Sequence, residues 1–266
     1  FATVAERAHN VETPTTAALR IAGKWSCIAT NPEESSMIFH RFRLSLVVLL
    51  FFTSISPVLA DEPAWRPLFD GKTLEGWKQR GGAAKYTVEE GQIVGTSVPK
   101  TTNSFLCTDR DYGDFILELE FKVDPKLNSG IQIRSECFDE PRQAVINGKT
   151  YKFPAGRVHG YQVEIDPSDR AYSGGIYDEG RRTWLQDLKD NEPARKAFRQ
   201  NEWNKVRVEC RGDSIKTWLN GLPAANLKDD VTPKGLIALQ VHGVGDKTDP
   251  LQVRWRNIRI QELDKK

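Results

Sequence analysis

The segment GYQVEID, Gly160 to Asp166, carries an amide and two carboxylates at alternate positions. A strand repeats every two residues, so Tyr161, Val163 and Ile165 face a core while Gln162, Glu164 and Asp166 share the opposite surface. Other alternating segments offer Gln132 and Arg134, Lys216 and Trp218, Asn220 at a turn, and Gln240 followed by His242. Amides, carboxylates, a guanidinium and an imidazole bind hydroxyl groups, and an indole stacks on the apolar face of a pyranose ring. That mixture predicts a carbohydrate partner. Two acids and an imidazole would also suffice for proton transfer.

These side chains need strands to position them. Phe115 to Val123 alternates most clearly, with Glu118, Glu120 and Lys122 pointing away from five apolar residues; Ile131 to Arg134, Val206 to Cys210, Ile215 to Asn220 and Ile237 to His242 follow the same period. The turn pairs Glu90-Gly91, Gly212-Asp213 and Asn220-Gly221 sit between such runs and predict hairpins. Helical period is confined to Glu192 to Arg199. The chain is therefore read as all-β, a two-sheet antiparallel jelly-roll sandwich. The ion-rich positions Glu118, Glu120, Lys122, Arg207 and Glu209 are read as a solvated outer face and assigned no function. The sugar-binding mixture is expected together on the outer face of the other sheet.

The sequence of 266 residues holds one methionine, Met37. From it the chain reads MIFHRFR, an apolar run from Leu44 to Ile55, and small residues Val58 and Ala60 at cleavage-site spacing. Residues 37–60 are expected to be a signal peptide, with residues 1–36 lying before the true start. A domain of 206 residues, 61–266, is expected to be released to the periplasm or medium, with no membrane anchor after cleavage. It carries 33 Lys/Arg against 32 Asp/Glu once the five basic and four acidic residues of 1–60 are removed. This balance gives no sign of a nucleic-acid partner. Cys107, Cys137 and Cys210 lack the spacing of a zinc site or disulfide framework, and are read as small core residues.

Eight segments resemble one family: LFDGKTLEGW at Leu68 to Trp77, NSGIQIR at Asn128 to Arg134, GYQVEID, GGIYDE at Gly174 to Glu179, EWNKVRVEC at Glu202 to Cys210, TWLNG at Thr217 to Gly221, GLIALQVHG at Gly235 to Gly243 and RNIRI at Arg256 to Ile260. Together they resemble the 3-keto-disaccharide hydrolase domain of secreted bacterial proteins. The resemblance implies a concanavalin A-like fold and action on glycosides oxidised at C3. A C3 ketone acidifies the C2 proton, so a base can remove it while an electrophile holds the enolate and the C1 substituent departs; water then adds back.

On that reading Glu164 or His242 is the base, and Arg134 and Lys216 stabilise the enolate. Gln132, Gln162, Asn220 and Gln240 bind hydroxyls, and Trp218 or Tyr177 stacks. Asp166 orients His242, or shares a divalent ion with Glu164 and His242, although spacing alone demands no cofactor. Two other readings stay open. A laminarinase-like glycosidase would use Glu164 and Asp166 in an E-x-D-x-x-E pattern, against which Pro167 breaks the strand before Asp169. A non-catalytic carbohydrate-binding module would bind sugar without turnover.

Overall fold

A computed structural model describes residues 63–263. The expected upstream stretch 1–36 and signal peptide 37–60 lie outside the described residues. In chain order the first strands are β1 (Arg66–Pro67), β2 (Trp77–Gly81), β3 (Lys85–Glu89), β4 (Gln92–Thr96), β5 (Ser104–Thr108) and β6 (Phe115–Val123). There follow β7 (Ser129–Cys137), β8 (Arg142–Ile146), β9 (Lys149–Phe153), β10 (Val158–Ile165), β11 (Ile176–Glu179) and β12 (Thr183–Gln186). Helix α1 (Glu192–Ala197) precedes β13 (Asn204–Arg211), β14 (Ser214–Leu219), β15 (Leu222–Lys228), β16 (Leu236–Val241) and β17 (Gln252–Glu262).

Two antiparallel sheets hold most of these strands. The first runs β15-β14-β13-β6-β17-β4-β3, with β1 added at β17; the second runs β12-β11-β10-β7-β16-β5-β2. Their apolar faces meet in a single core that includes Leu117, Leu119 and Phe121 from β6, Val206 and Val208 from β13, and Tyr161, Val163 and Ile165 from β10. Strands β13 and β14 show the alternation expected from the sequence and bury every second residue, whereas β5 and β10 are buried along their whole length; the two inner faces interdigitate. Trp255 lies fully inside and Trp77 nearly so, whereas Trp203 is only half-buried.

The turns behave as their residues demand. Glu90 and Gly91, and Asn220 and Gly221, all take positive φ, the backbone of the tight turn that matches strand twist. Strand β10 carries a bulge between His159 and Tyr161. Gly160 sits there at φ +132°, and a Cβ would lie 2.6 Å from Ser135 Oγ. The bulge sets the phase that brings Gln162 and Glu164 to the outer surface. The hairpin β8–β9 stands apart from both sheets. It is anchored where Phe153 stacks on His159, ring centroids 3.7 Å apart.

Candidate active site

Register across the second sheet aligns the outward side chains. Gln162 of β10 is opposite Tyr177 of β11 and Gln132 of β7; Glu164 is opposite Gly130, and Gly130 is opposite Gln240 of β16. Gly130 leaves room for its neighbour, since a Cβ there would come within 2.4 Å of the Gln162 side chain. Over this part of the sheet lies an open cavity of about 410 Å³ lined by Asn128, Gln162, Glu164, Arg170, Tyr177, Glu179, Trp184 and His242.

Glu164 is the most constrained group in it. Asn128 Nδ2 donates to its Oε1 at 2.7 Å, and Gln162 Nε2 to its Oε2 at 2.9 Å. Gln162 Oε1 accepts from Gln132 Nε2 at 2.7 Å, and Gln132 Oε1 accepts from Ser135 Oγ at 2.7 Å. The buried amides thus form a one-directional chain ending on the carboxylate. Burial raises the Glu164 pKa, and the charge of Asp166 adds to the rise; the Asn128 and Gln162 hydrogen bonds and Arg170 oppose it. A carboxylate in this state is a stronger base than one in water.

A second carboxylate enters from β11. Glu179 accepts from Arg157 Nη2 at 2.9 Å. Burial raises its pKa, opposed by Arg157, His242 and Asn103. His242 is exposed, with Nδ1 2.8 Å from Gly243 O. A carbonyl only accepts, so Nδ1 carries a proton and Nε2 is the nitrogen left for chemistry.

Arg170 comes from the loop after β10. Its Nε donates to Asp166 Oδ2 at 2.7 Å, its Nη2 lies 3.7 Å from Glu164 Oε1, and its guanidinium lies 5.3 Å above the Trp184 ring. Tyr177 meets Trp184 edge to face at 5.3 Å. One cation and two rings therefore stand beside the base.

Of the residues expected from sequence, Glu164, Gln162, Tyr177 and His242 come together here. The others are corrected by geometry. Arg134 is fully buried and donates to Gly113 O, Gly212 O and Asp114 Oδ1, each at 2.7 Å, so it bolts β7 to loops of the other sheet and faces no cavity. Lys216 and Trp218 belong to β14 in the first sheet; Trp218 lies under Arg207 at 5.7 Å. Asn220, at φ +49°, donates to Ala197 O and Asn204 Oδ1 and accepts from Lys205 N, closing a turn. Gln132 and Gln240 are fully buried; the first reaches the site only through Gln162, and the second has neither side-chain polar atom hydrogen-bonded.

Asp166 is spent on its own loop, accepting from Ser168 N and Oγ, Arg170 Nε and Tyr172 N. Burial would raise its pKa, but Ser168, Arg170 and Tyr172 pull it below the ordinary value. It does not orient His242. Among the described residues no group of three or more His, Cys, Asp and Glu is placed to hold a metal, so Glu164, Asp166 and His242 do not form a ligand set. Cys107, Cys137 and Cys210 are unpaired.

Asn128, Arg170, Glu179 and Trp184 were not foreseen. Tyr177 and Glu179 are two apart in GGIYDE, so the alternation that exposed Gln162 and Glu164 also puts Glu179 on the outer surface. Arg170 had no such signal, because it lies in a loop.

Residues 64–261 match the 3-keto-alpha-glucoside-1,2-lyase-like domain. The chain belongs to this family. Membership makes the lyase-like domain carbohydrate-related, and its two-sheet sandwich is of the concanavalin A-like kind. Comparison with curated proteins gives no match.

Solved structures similar to the lyase-like domain include a Bacillus subtilis protein of unknown function with a galectin-like fold. It is 14% identical with a TM-score of 0.51, covering 75% of this chain and 94% of that one. The carbohydrate-binding module CBM66 from Bacillus subtilis is 17% identical with a TM-score of 0.49, covering 70% and 96%. A candidate glycosyl hydrolase from Parabacteroides distasonis ATCC 8503 is 18% identical with a TM-score of 0.48, covering 75% and 94%. At 14% identity the likeness to the first is one of fold alone.

Among the described residues no helix is long and apolar enough to cross a membrane.

Proposed function

We propose that the cavity on the second sheet cleaves 3-keto-glycosides by 1,2-elimination followed by hydration. The observation that carries this reading is Glu164: a buried carboxylate of raised pKa, held by two amides and facing an open cavity with a cation 3.7 Å away. The family description, which names a 1,2-lyase acting on a 3-keto-glucoside, supports the same chemistry.

Glu164 takes the C2 proton, and the electrons of that bond pass into the C3 carbonyl to form an enolate. Arg170 faces the enolate oxygen, the role expected from sequence of Arg134 and Lys216. The enolate electrons then form the C1–C2 double bond as the C1–O bond breaks, and His242 Nε2 protonates the leaving oxygen. Water adds across the double bond, its oxygen to C1 and its freed proton to His242 Nε2, while Glu164 returns a proton to C2, so both groups end as they began. Tyr177 and Trp184 flank the ring. Export through residues 37–60 would place the reaction in the periplasm or outside the cell.

Purified protein is incubated with a 3-keto-disaccharide and with its unoxidised parent, with and without chelator, and release of sugar is followed. Turnover of the oxidised compound, reduced about 10²- to 10⁴-fold by Glu164→Gln as for a general base, supports the proposal. Unchanged turnover in a folded Glu164→Gln variant removes Glu164 from the reaction. The pairing of Glu164 with Glu179 in one cavity favours a second reading, direct hydrolysis by two carboxylates, which requires turnover of the unoxidised parent. Binding without turnover of either compound would make this a carbohydrate-binding module.

A further inference from the structure

The outer face of the first sheet carries a charge pattern that the cavity on the second does not use. On β13 the outward residues Lys205, Arg207 and Arg211 accompany Glu209; on β6 Lys122 accompanies Glu118 and Glu120; on β17 Arg254, Arg256 and Arg259 have no acid among them. On these three strands seven cations face three carboxylates, and Glu89 of β3 adds a fourth by holding Arg254 Nη2 at 3.1 Å, so cations still outnumber acids in a protein whose whole sequence has a formal charge of only +2.

Register shows how they are spaced. Arg207, Glu118 and Arg259 form one row across β13, β6 and β17, and Lys205, Glu120 and Arg256 form the next. Glu118 alone holds Arg259 Nη2 at 2.7 Å, Lys205 Nζ at 2.9 Å and Arg207 Nη1 at 3.1 Å. Glu209 Oε2 also lies 3.8 Å from Arg207 Nη2, so two carboxylates serve three cations and one positive charge is left over. The Glu118 side chain is 10% exposed while those of Arg259 and Lys205 are 49% and 51% exposed, so the surplus positive charge faces solvent.

Indole rings hold two of the guanidinium groups on this face. Arg259 lies 4.5 Å above the Trp65 ring and Arg256 4.0 Å above Trp203. Stacking fixes a guanidinium plane and lowers the entropy lost when it binds an anion. Beside the first of these pairs opens a cavity of about 610 Å³, lined among others by Trp65, Glu118, Glu120, Lys205, Asn257 and Arg259.

We infer that this face is a second binding surface, for an acidic polysaccharide built of uronic acid units. Arg207 and Arg259 flank β6 and are two strand spacings apart, roughly 9–10 Å, a span of about two sugar rings. A polyuronate offers one carboxylate per ring, with hydroxyls between. The cations take the carboxylates, and the carboxylate of Glu120 and the amide of Asn257 take the hydroxyls. A nucleic acid fits less well, because Glu118 and Glu120 repel its unbroken line of phosphates and the sheet presents no helix or ribbon to a groove. The surface would keep the enzyme on an acidic polymer while the opposite sheet works on released glycosides.

The test is binding of polygalacturonate by affinity electrophoresis or calorimetry at low salt, about 50 mM, and at about 300 mM, with a neutral glucan and duplex DNA as comparisons. The native protein is expected to bind polygalacturonate at low salt and to lose about tenfold in affinity at the higher salt. Arg256→Gln with Arg259→Gln is expected to weaken binding about tenfold. Because that pair holds buried Glu118 and half-buried Glu120, a second variant, Lys122→Glu with Arg211→Glu, changes two exposed cations. It too is expected to weaken binding while leaving turnover of a small glycoside unchanged. No binding at low salt overturns the inference; so does native-like binding by the folded Lys122→Glu/Arg211→Glu variant, equal binding of the neutral glucan, or tighter binding of DNA than of polyuronate at equal charge. None of these results bears on Glu164, so failure here and failure of the proposed elimination are told apart.

Discussion

Gln162 donates from Nε2 to Glu164 Oε2 at 2.9 Å, a bond between side chains two residues apart on one strand. Gln132 donates to the Oε1 of the same amide, so flipping it would set two NH₂ groups against each other. The amide therefore always presents hydrogens to the carboxylate and favours its ionised form, against burial that favours the neutral one.

The balance predicts opposite pH trends. With its folded pKa raised above the unfolded value, Glu164 keeps a proton in the fold over a window where the unfolded chain has released it. Stability contributed by this group is thus present below the ordinary carboxylate pKa and lost as pH rises through the raised value. Proton abstraction needs the ionised form and rises through the same value. Rate profiles and thermal melts against pH are expected to cross in this way, and Glu164→Gln should remove both slopes.

Gly130→Ala tests the space behind the base. A methyl group there overlaps Gln162 at 2.4 Å, so the amide must move. Turnover is expected to fall about tenfold, as for loss of a group that orients a catalytic one, and the rate should recover in part when Gln162 is shortened to Asn. A loss of melting temperature with unchanged turnover would show that Gln162 plays no part.

His242→Gln separates the two ends of the reaction. If His242 protonates the leaving oxygen, the variant should lose about 10²-fold or more on a sugar leaving group and much less on a nitrophenolate, which departs without a proton. Equal losses on both substrates, measured side by side, would assign His242 elsewhere.

Arg134→Met should be a folding variant and nothing more. It strips three hydrogen bonds from Gly113, Gly212 and Asp114. A cost of about 3–5 kcal/mol is expected from denaturant unfolding, with turnover per folded molecule unchanged. A stable but inactive variant would return Arg134 to the site.

Glu118 should show itself in acid. Burial would raise its pKa, but Arg259, Lys205 and Arg207 bring it down to about 2. Its stabilisation is present above the ordinary carboxylate pKa and lost as pH falls towards 2. Because the partners are half-exposed, Glu118→Gln is expected to cost only about 1 kcal/mol at neutral pH. Melts from pH 7 downward check this, the variant and native curves converging in acid.

The fold was legible because alternation is a local property. Phe115 to Val123 is a strand with the bounds read from the sequence, and the predicted turns at Glu90-Gly91 and Asn220-Gly221 are turns. The true sheet of Lys216 and Trp218 was legible too. A hairpin at Gly212-Asp213 forces β14 to pair with β13, and Glu209 is directly opposite Lys216. Residue type suggested a sugar site where connectivity placed a salt-bridged face.

Arg134 misled for another reason. Alternation names a face but not where a long side chain ends, and Arg134 takes φ +44°, so its backbone leaves the pleat. Arg170 reaches the cavity from the loop between β10 and β11, a path set by Asp166 and not by any period, and Trp184 reaches it from β12.

That Asp166 clasp has a consequence for selectivity. Because Arg170 is tied to Asp166 at 2.7 Å and stacked over Trp184, it cannot swing to follow a ligand. The oxygen it meets must come to it. Sugars differing only in the stereochemistry of one hydroxyl should therefore be told apart by fit to a fixed positive point, and loosening the clasp should broaden what the protein accepts before it slows what it does best.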